Sequence, residues 1–193
     1  MNENEVINLV DTFKAQGKGL MSRDQYLAAA LEISKNSPSN LLIFGLGEDA
    51  SLWVELNKEG RTCFLEDDKD WIEKFDKQKL EIHSVTYNTR AQDHDSINFD
   101  TKQLKLDLPD SIKNVQWDLI FVDGPLGHNP PRPYKGPGRM KSIYNAYSLL
   151  KKGGTCIVDD MGRLIESRYA IHFFKKENFF KLVERKLGFF RKI

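Results

Sequence analysis

The sequence predicts an α/β domain built on a mostly parallel sheet, and three observations predict it. Leu41 to Phe44 is a short, unbroken apolar run of the kind found in a parallel strand covered on both faces. Similar runs return at Trp117–Val122 (WDLIFV) and Thr155–Val158, and each ends in acids at its carboxyl end. Between the runs, apolar residues recur at helical spacing, so strand and helix alternate as they do in doubly wound folds.

Taken in order, residues 4 to 16 carry Val6, Ile7, Val10 and Phe13 on one helical face, and Gly17-Lys18-Gly19 stops that helix. Ser22 caps a second helix whose broad apolar face holds Tyr26, Leu27, Ala30, Leu31 and Ile33. Both are read as cover helices, over residues 1-38. Strand Leu41–Phe44 then runs into Gly45-Leu46-Gly47, where missing β-carbons permit a sharp turn and close approach of a ligand, and into the acids Glu48 and Asp49 of a helix start. Helix Ala50 to Lys58, a break at Glu59-Gly60 and a second strand Arg61 to Leu65 follow, ending in Glu66-Asp67-Asp68. A helix over Lys69 to Lys79 and a third strand from Glu81 to Asn88 continue the rhythm. The polar stretch Thr89 to Asn114 interrupts it, and is expected to be an insertion at the edge of the sheet. After Trp117–Val122 come Asp123-Gly124-Pro125, a Pro/Gly-rich loop, helix Met140 to Lys151, the break Gly153-Gly154, strand Thr155–Val158 and the acids Asp159-Asp160. Helix Leu164 to Lys176 leads to the tail FFKLVERKLGFFRKI, two apolar runs that suit an antiparallel hairpin.

At 193 residues the chain has room for one well-buried domain and not for two. No linker, repeat or low-complexity segment divides it, so residues 1-193 are read as a single domain. Forty per cent hydrophobic residues and a formal net charge of +1 describe a globular protein, with no basic cluster of the kind that binds nucleic acid. The acidic N-terminus MNENEVINLV is unlike a signal peptide, and no apolar run reaches the roughly 18 residues of a membrane span. The expectation is a cytoplasmic protein without a membrane span. Cys63 and Cys156 fall inside core strands and are read as reduced and structural.

The functional reading starts from the strand–turn–helix–strand unit at 40–68. Glycines after the first strand and a carboxylate about 20 residues on form the arrangement of a nucleoside-binding Rossmann-like half, with Glu66 placed to accept both ribose hydroxyls. The third glycine of the dinucleotide fingerprint is missing, and Glu48-Asp49 would repel a pyrophosphate. S-adenosylmethionine therefore fits better than NAD. Gly45, Gly47, Glu66, Asp67, Asp123 and Gly124 are the expected cofactor-binding residues.

FGLGEDASLW, the FLEDD ending, WDLIFVDGP and the PGRM of Pro137 to Met140 together resemble the plant polysaccharide-biosynthesis family that includes glucuronoxylan 4-O-methyltransferases, over roughly Asn40 to Phe174. The resemblance implies a Rossmann-like class I methyltransferase fold with a mostly parallel seven-stranded sheet and C-terminal antiparallel hairpin. It also implies S-adenosylmethionine as donor and a glucuronic acid hydroxyl of a polysaccharide or oligosaccharide, at position 4, as acceptor. Gly45, Gly47 and Glu66 match its cofactor motifs, and Asp123 and Arg139 match motifs bordering the acceptor. Three departures stand out: no segment matches the family's membrane anchor, the loop between Pro125 and Pro137 is longer, and the family's His-Asp pair is Asp159-Asp160 here.

A sugar hydroxyl is a weak acid and needs a base or a metal to become a nucleophile. Asp123 and Asp160 are the catalytic candidates, though Asp123 could equally hold the donor's amino group or cap a turn. Asp123, Asp159 and Asp160 also resemble the acidic set that holds Mg²⁺ in catechol-type O-methyltransferases, so a divalent cation (Mg, Mn or Co) is a second expectation; helix capping is the alternative. His128, Tyr134, Lys135 and Arg139 are expected to line a groove for an acidic saccharide, with Arg139 forking onto its carboxylate. A small-molecule O-methyltransferase and a non-catalytic nucleoside-binding domain remain open alternatives.

Overall fold

The computed structural model describes residues 1–127 and 136–193, with the side chain of Asp76 also outside the description. Its centre is a seven-stranded sheet in the order β3-β2-β1-β4-β5-β7-β6. The strands are β1 (Asn40–Phe44), β2 (Arg61–Glu66), β3 (Glu81–Ser84), β4 (Trp117–Val122), β5 (Leu150–Val158), β6 (Phe179–Val183) and β7 (Leu187–Arg191). The first five pair in parallel, while β7 runs antiparallel to both β5 and β6, which is the expected hairpin. Strand order reverses between β1 and β4, the point at which open α/β sheets bind ligands.

Alternation along the strands divides the core in two. Leu42, Phe44, Cys63, Leu65, Ile120, Val122, Cys156 and Val158 face one side, covered by α8 (Met140–Leu149) and α9 (Leu164–Phe174). Leu41, Ile43, Phe64, Leu119, Phe121 and Ile157 face the other, covered by α1 (Glu3–Ala15), α2 (Arg23–Asn36) and α3 (Ala50–Leu56). The cover helices start as their sequences require, with reciprocal capping boxes at Asn2/Glu5 and Ser22/Gln25. Cys63 and Cys156 are free and buried. Among the described residues no helix is long and apolar enough to cross a membrane.

Two elements differ from the sequence reading. Residues 89–114 form short helices, α5 (His94–Ile97), α6 (Thr101–Leu104) and α7 (Asp110–Lys113), laid over the α8/α9 face instead of extending the sheet edge. Leu104, Leu106 and Leu108, whose alternation suggests a strand, are all buried against that face, and Asn145 of α8 serves the backbone here by accepting from Leu106 N and donating to Leu104 O. Strand β5 also begins at Leu150, ahead of the glycines read as its boundary. Gly153-Gly154 lies inside the strand, where the register against β4 shifts and Lys192 exchanges backbone hydrogen bonds with both glycines.

Candidate active site

The carboxyl ends of β1, β2, β4 and β5 bring most of the expected residues together. Gly45 (φ +107°) and Gly124 touch at the switch point: a β-carbon on Gly45 would stand 3.0 Å from Gly124 N, and one on Gly124 2.7 Å from Gly45 Cα. The glycines are therefore required by the close crossing of two backbones.

Glu66 ends β2 with its residue only 7 % exposed. Its Oε2 accepts from Leu46 N (2.7 Å) and its Oε1 from Asp67 N and Asp68 N (both 2.8 Å). The carboxylate thus clamps the glycine turn to the end of the second strand, and the lone pair left over is the one available to a ribose hydroxyl. Asp67, beside it and exposed to solvent on one side, is pushed up to about 6 by crowding from the surrounding protein and by the Glu66 charge. A raised carboxylate contributes stability that is fully present below its unfolded value, near 3.8, and is lost as pH rises through about 6. Asp67→Asn, which cannot ionise, should accordingly gain Tm relative to wild type as pH rises from 4 to 7. Parallel Tm curves over that range would show that Asp67 is an ordinary surface acid.

Arg139 is where the structure departs most from the sequence reading. It was expected to stand free for an acceptor carboxylate, but its residue is 6 % exposed, ahead of α8, and its charge is spent inside the protein. Nη2 lies 3.2 Å from Asp123 and 3.1 Å from Asp160, Nη1 3.7 Å from Asp159, and Nε donates to Pro125 O at 3.2 Å. Burial alone would lower its proton affinity, yet the acids around it, with Glu166 among them, hold it firmly protonated. Asp160, in the left-handed region (φ +61°), also receives Arg163 at 2.7 Å. Asp123 keeps 35 % of its side chain open, and crowding by the surrounding protein together with Asp159 and Asp49 raises it well above the usual carboxylate range, against the pull of Arg139.

The same geometry bears on the metal expectation. Asp123, Asp159 and Asp160 are arranged around a guanidinium, which supplies the positive charge an ion would have supplied. Their carboxylate oxygens form no set lying mutually within 4.8 Å; among the described residues only Cys63, Glu81 and His83 do so. Those three sit lower on β2 and β3, where Arg61 already holds Glu81 through bonds of 2.9 and 2.5 Å. His128, Tyr134 and Lys135, expected in the acceptor groove, lie outside the described residues.

Residues that the sequence reading did not assign to the site also lie at this edge. Tyr26 of α2 donates from its hydroxyl to Asp49 Oδ2 at 2.9 Å, and Asp49, 8 % exposed, is raised by burial despite that bond. Glu166 of α9 is fully buried, raised by burial, and close to Gly127 and Arg163. Tyr26 is indistinguishable in sequence from the apolar residues around it. Arg163 and Glu166, three apart at the start of a helix just after Asp160, are a signal that could have been followed.

The model of the IRX15/IRX15L/GXM family matches this chain over residues 26–105 and 95–190. The chain belongs to this family. Among its Arabidopsis thaliana relatives, glucuronoxylan 4-O-methyltransferase 2 is 34% identical over 173 residues, covering 78% of this chain and 58% of that protein. Arabinogalactan O-methyltransferase 1 is also 34% identical, with 73% and 56% covered, and protein IRREGULAR XYLEM 15 is 34% identical, with 73% and 51% covered. The chain thus spans between half and three fifths of the length of these relatives. Among solved structures, this IRX15/IRX15L/GXM member is similar to a caffeoyl-CoA O-methyltransferase-like protein from Staphylococcus aureus (TM-score 0.54, 13% identity, 97% and 92% covered). It is also similar to the Thermus thermophilus 16S rRNA methyltransferase RsmC (TM-score 0.55, 15% identity, 91% and 44% covered). The fold is that of class I S-adenosylmethionine-dependent methyltransferases.

Proposed function

We propose that this chain is an S-adenosylmethionine-dependent O-methyltransferase domain whose acceptor is a glucuronic acid residue of a polysaccharide or oligosaccharide, methylated at the 4-hydroxyl. The observation that carries the reading is the 34% identity to glucuronoxylan 4-O-methyltransferase 2, within a family match that runs over residues 26–105 and 95–190. The residues present fit the donor. Glu66 keeps one lone pair for a ribose hydroxyl, the Gly45/Gly124 crossing marks the switch point, and the acids Asp49, Asp123 and Asp159 suit a sulfonium cation and oppose a pyrophosphate.

When bound, the donor supplies an electrophilic methyl group for an in-line displacement by oxygen. The work left to the chain is alignment and removal of one proton in a site screened from water. Asp123 is the proposed base, since its crowded surroundings and acid neighbours raise its proton affinity while part of the carboxylate stays open to the cleft. Asp160, the other catalytic candidate, is neutralised by Arg139 and Arg163 at once and is a poorer base. It serves instead to fix Arg139, which in turn fixes Asp123. Arg163, which binds Asp160 and keeps 26% of its side chain exposed, is the proposed reader of the acceptor carboxylate.

The test is methyl transfer from labelled donor to xylo-oligosaccharides bearing glucuronic acid, to their neutral glucosyl analogues, to arabinogalactan fragments and to small phenols. Glucuronic acid acceptors are expected to react at least about tenfold faster than the neutral analogues, about 1.4 kcal/mol of discrimination. Equal rates on both would remove the uronate from the reading, and transfer to phenols alone would make the chain a small-molecule enzyme. Running the assay in excess EDTA tests the divalent cation: turnover lost while donor binding persists would place an ion on the acceptor side, at the expense of an Arg139 contact.

A further inference from the structure

Asp49 stands at the head of α3, yet its side chain does not cap that helix. It is held instead by Tyr26, and Tyr26 is itself fixed: 1 % exposed, edge-on to Phe13 at 5.1 Å and stacked on Trp53 at 5.6 Å. Gly19 completes the fixture, since any β-carbon there would stand 2.0 Å from the tyrosine hydroxyl. An acid two residues beyond the glycine turn is thus aimed by side chains from both cover helices and from α3. A buried carboxylate is normally met by a cation. Asp49 has no ion pair among the described residues, and the acids Asp159 and Asp123 act on it with the same negative sign.

We propose that Asp49, aimed by Tyr26, is the counter-ion for the α-ammonium at the amino-acid end of the donor. The assignment rests on the donor reading above. Glu66 and Asp49 border the same glycine turn, Glu66 through its bond from Leu46 N and Asp49 with Oδ1 2.8 Å from where a β-carbon on Gly47 would stand, so residues on one turn would hold both ends of the donor. The cation brings the positive charge the acids lack. The cover helices thereby become part of the donor site through one hydrogen bond.

Calorimetry with two ligands tests it: S-adenosylhomocysteine, which carries the ammonium, and 5′-methylthioadenosine, which shares the nucleoside and thioether but has no amino-acid end. Asp49→Asn should weaken S-adenosylhomocysteine by about tenfold or more and leave 5′-methylthioadenosine within about twofold. Tyr26→Phe, which keeps the stacking, should show the same selectivity at smaller size. Equal weakening of both ligands by either variant would reduce the pair to a packing device. Tighter S-adenosylhomocysteine binding by Asp49→Asn would mean that the acid faces the ligand's carboxylate, and would equally overturn the assignment. A wild-type protein that binds neither ligand would remove the donor reading and this assignment with it, an outcome distinct from loss of selectivity alone.

Discussion

Arg139→Met is expected to destabilise the protein by on the order of 3–5 kcal/mol at neutral pH, the usual consequence of removing one partner from a buried ionic network. Methionine roughly preserves volume, so the loss reports charge. Without the guanidinium, Asp123, Asp159 and Asp160 lose their shared partner, and the buried Glu166 loses a nearby positive charge. The sign of the pH dependence follows. Asp123, Asp160 and Glu166, already raised by burial, are raised further, so their contribution is intact below about pH 4, near the unfolded carboxylate values, and is lost as pH increases. The gap between variant and wild type in denaturant unfolding should therefore be widest near pH 7 and close toward pH 4. Adding Asp160→Asn to Arg139→Met should recover part of the loss at pH 7. A gap under about 1 kcal/mol, or one independent of pH, would show that the network is solvated and that Arg139 could yet serve a ligand.

Arg139 also marks the boundary of what the sequence discloses. Features set by local chain chemistry were legible: Leu41–Phe44 as a strand buried on both faces, the glycine turn after it, Glu66 at the next strand tip, Ser22 as a cap, and the closing hairpin. Each depends on a residue's own neighbours in the chain. The partners of a charge depend on which strand tips the topology brings together. Arg139 follows Asp123 by sixteen residues and precedes Asp160 by twenty-one, and no periodicity connects them. The sequence therefore discloses an arginine and several acids near a site, and leaves open whether the arginine faces a ligand or the acids. Tyr26 and Asp49, twenty-three residues apart, are hidden for the same reason. The insertion misled differently: the alternation of Leu104, Leu106 and Leu108 is that of a strand, but these leucines pack on α8 and the backbone at 104 and 106 is served by Asn145.

Asp123→Asn carries the largest expected effect on rate, a fall in kcat of about 10²- to 10⁴-fold, the range that loss of a positioned general base produces. The substitution preserves shape, and its carbonyl oxygen can still accept from Arg139 Nη2, as Asp123 Oδ1 does at 3.2 Å. It removes only the ability to take a proton. Asp123 is suited to that task because its protein surroundings, with Asp159 and Asp49, raise its proton affinity above the ordinary carboxylate range, while 35 % of the side chain stays exposed. The competing role, holding the donor's amino group, predicts a different split. Single-turnover rates with donor bound in advance, together with donor affinity by calorimetry, separate the two. Loss confined to the single-turnover rate supports the base. A donor affinity that collapses while the bound complex reacts at the normal rate would make Asp123 a donor ligand, and leave the acceptor's proton to Asp160 or to solvent. If neither quantity changes, Asp123 is a turn residue, and the acceptor's proton must be taken by another group.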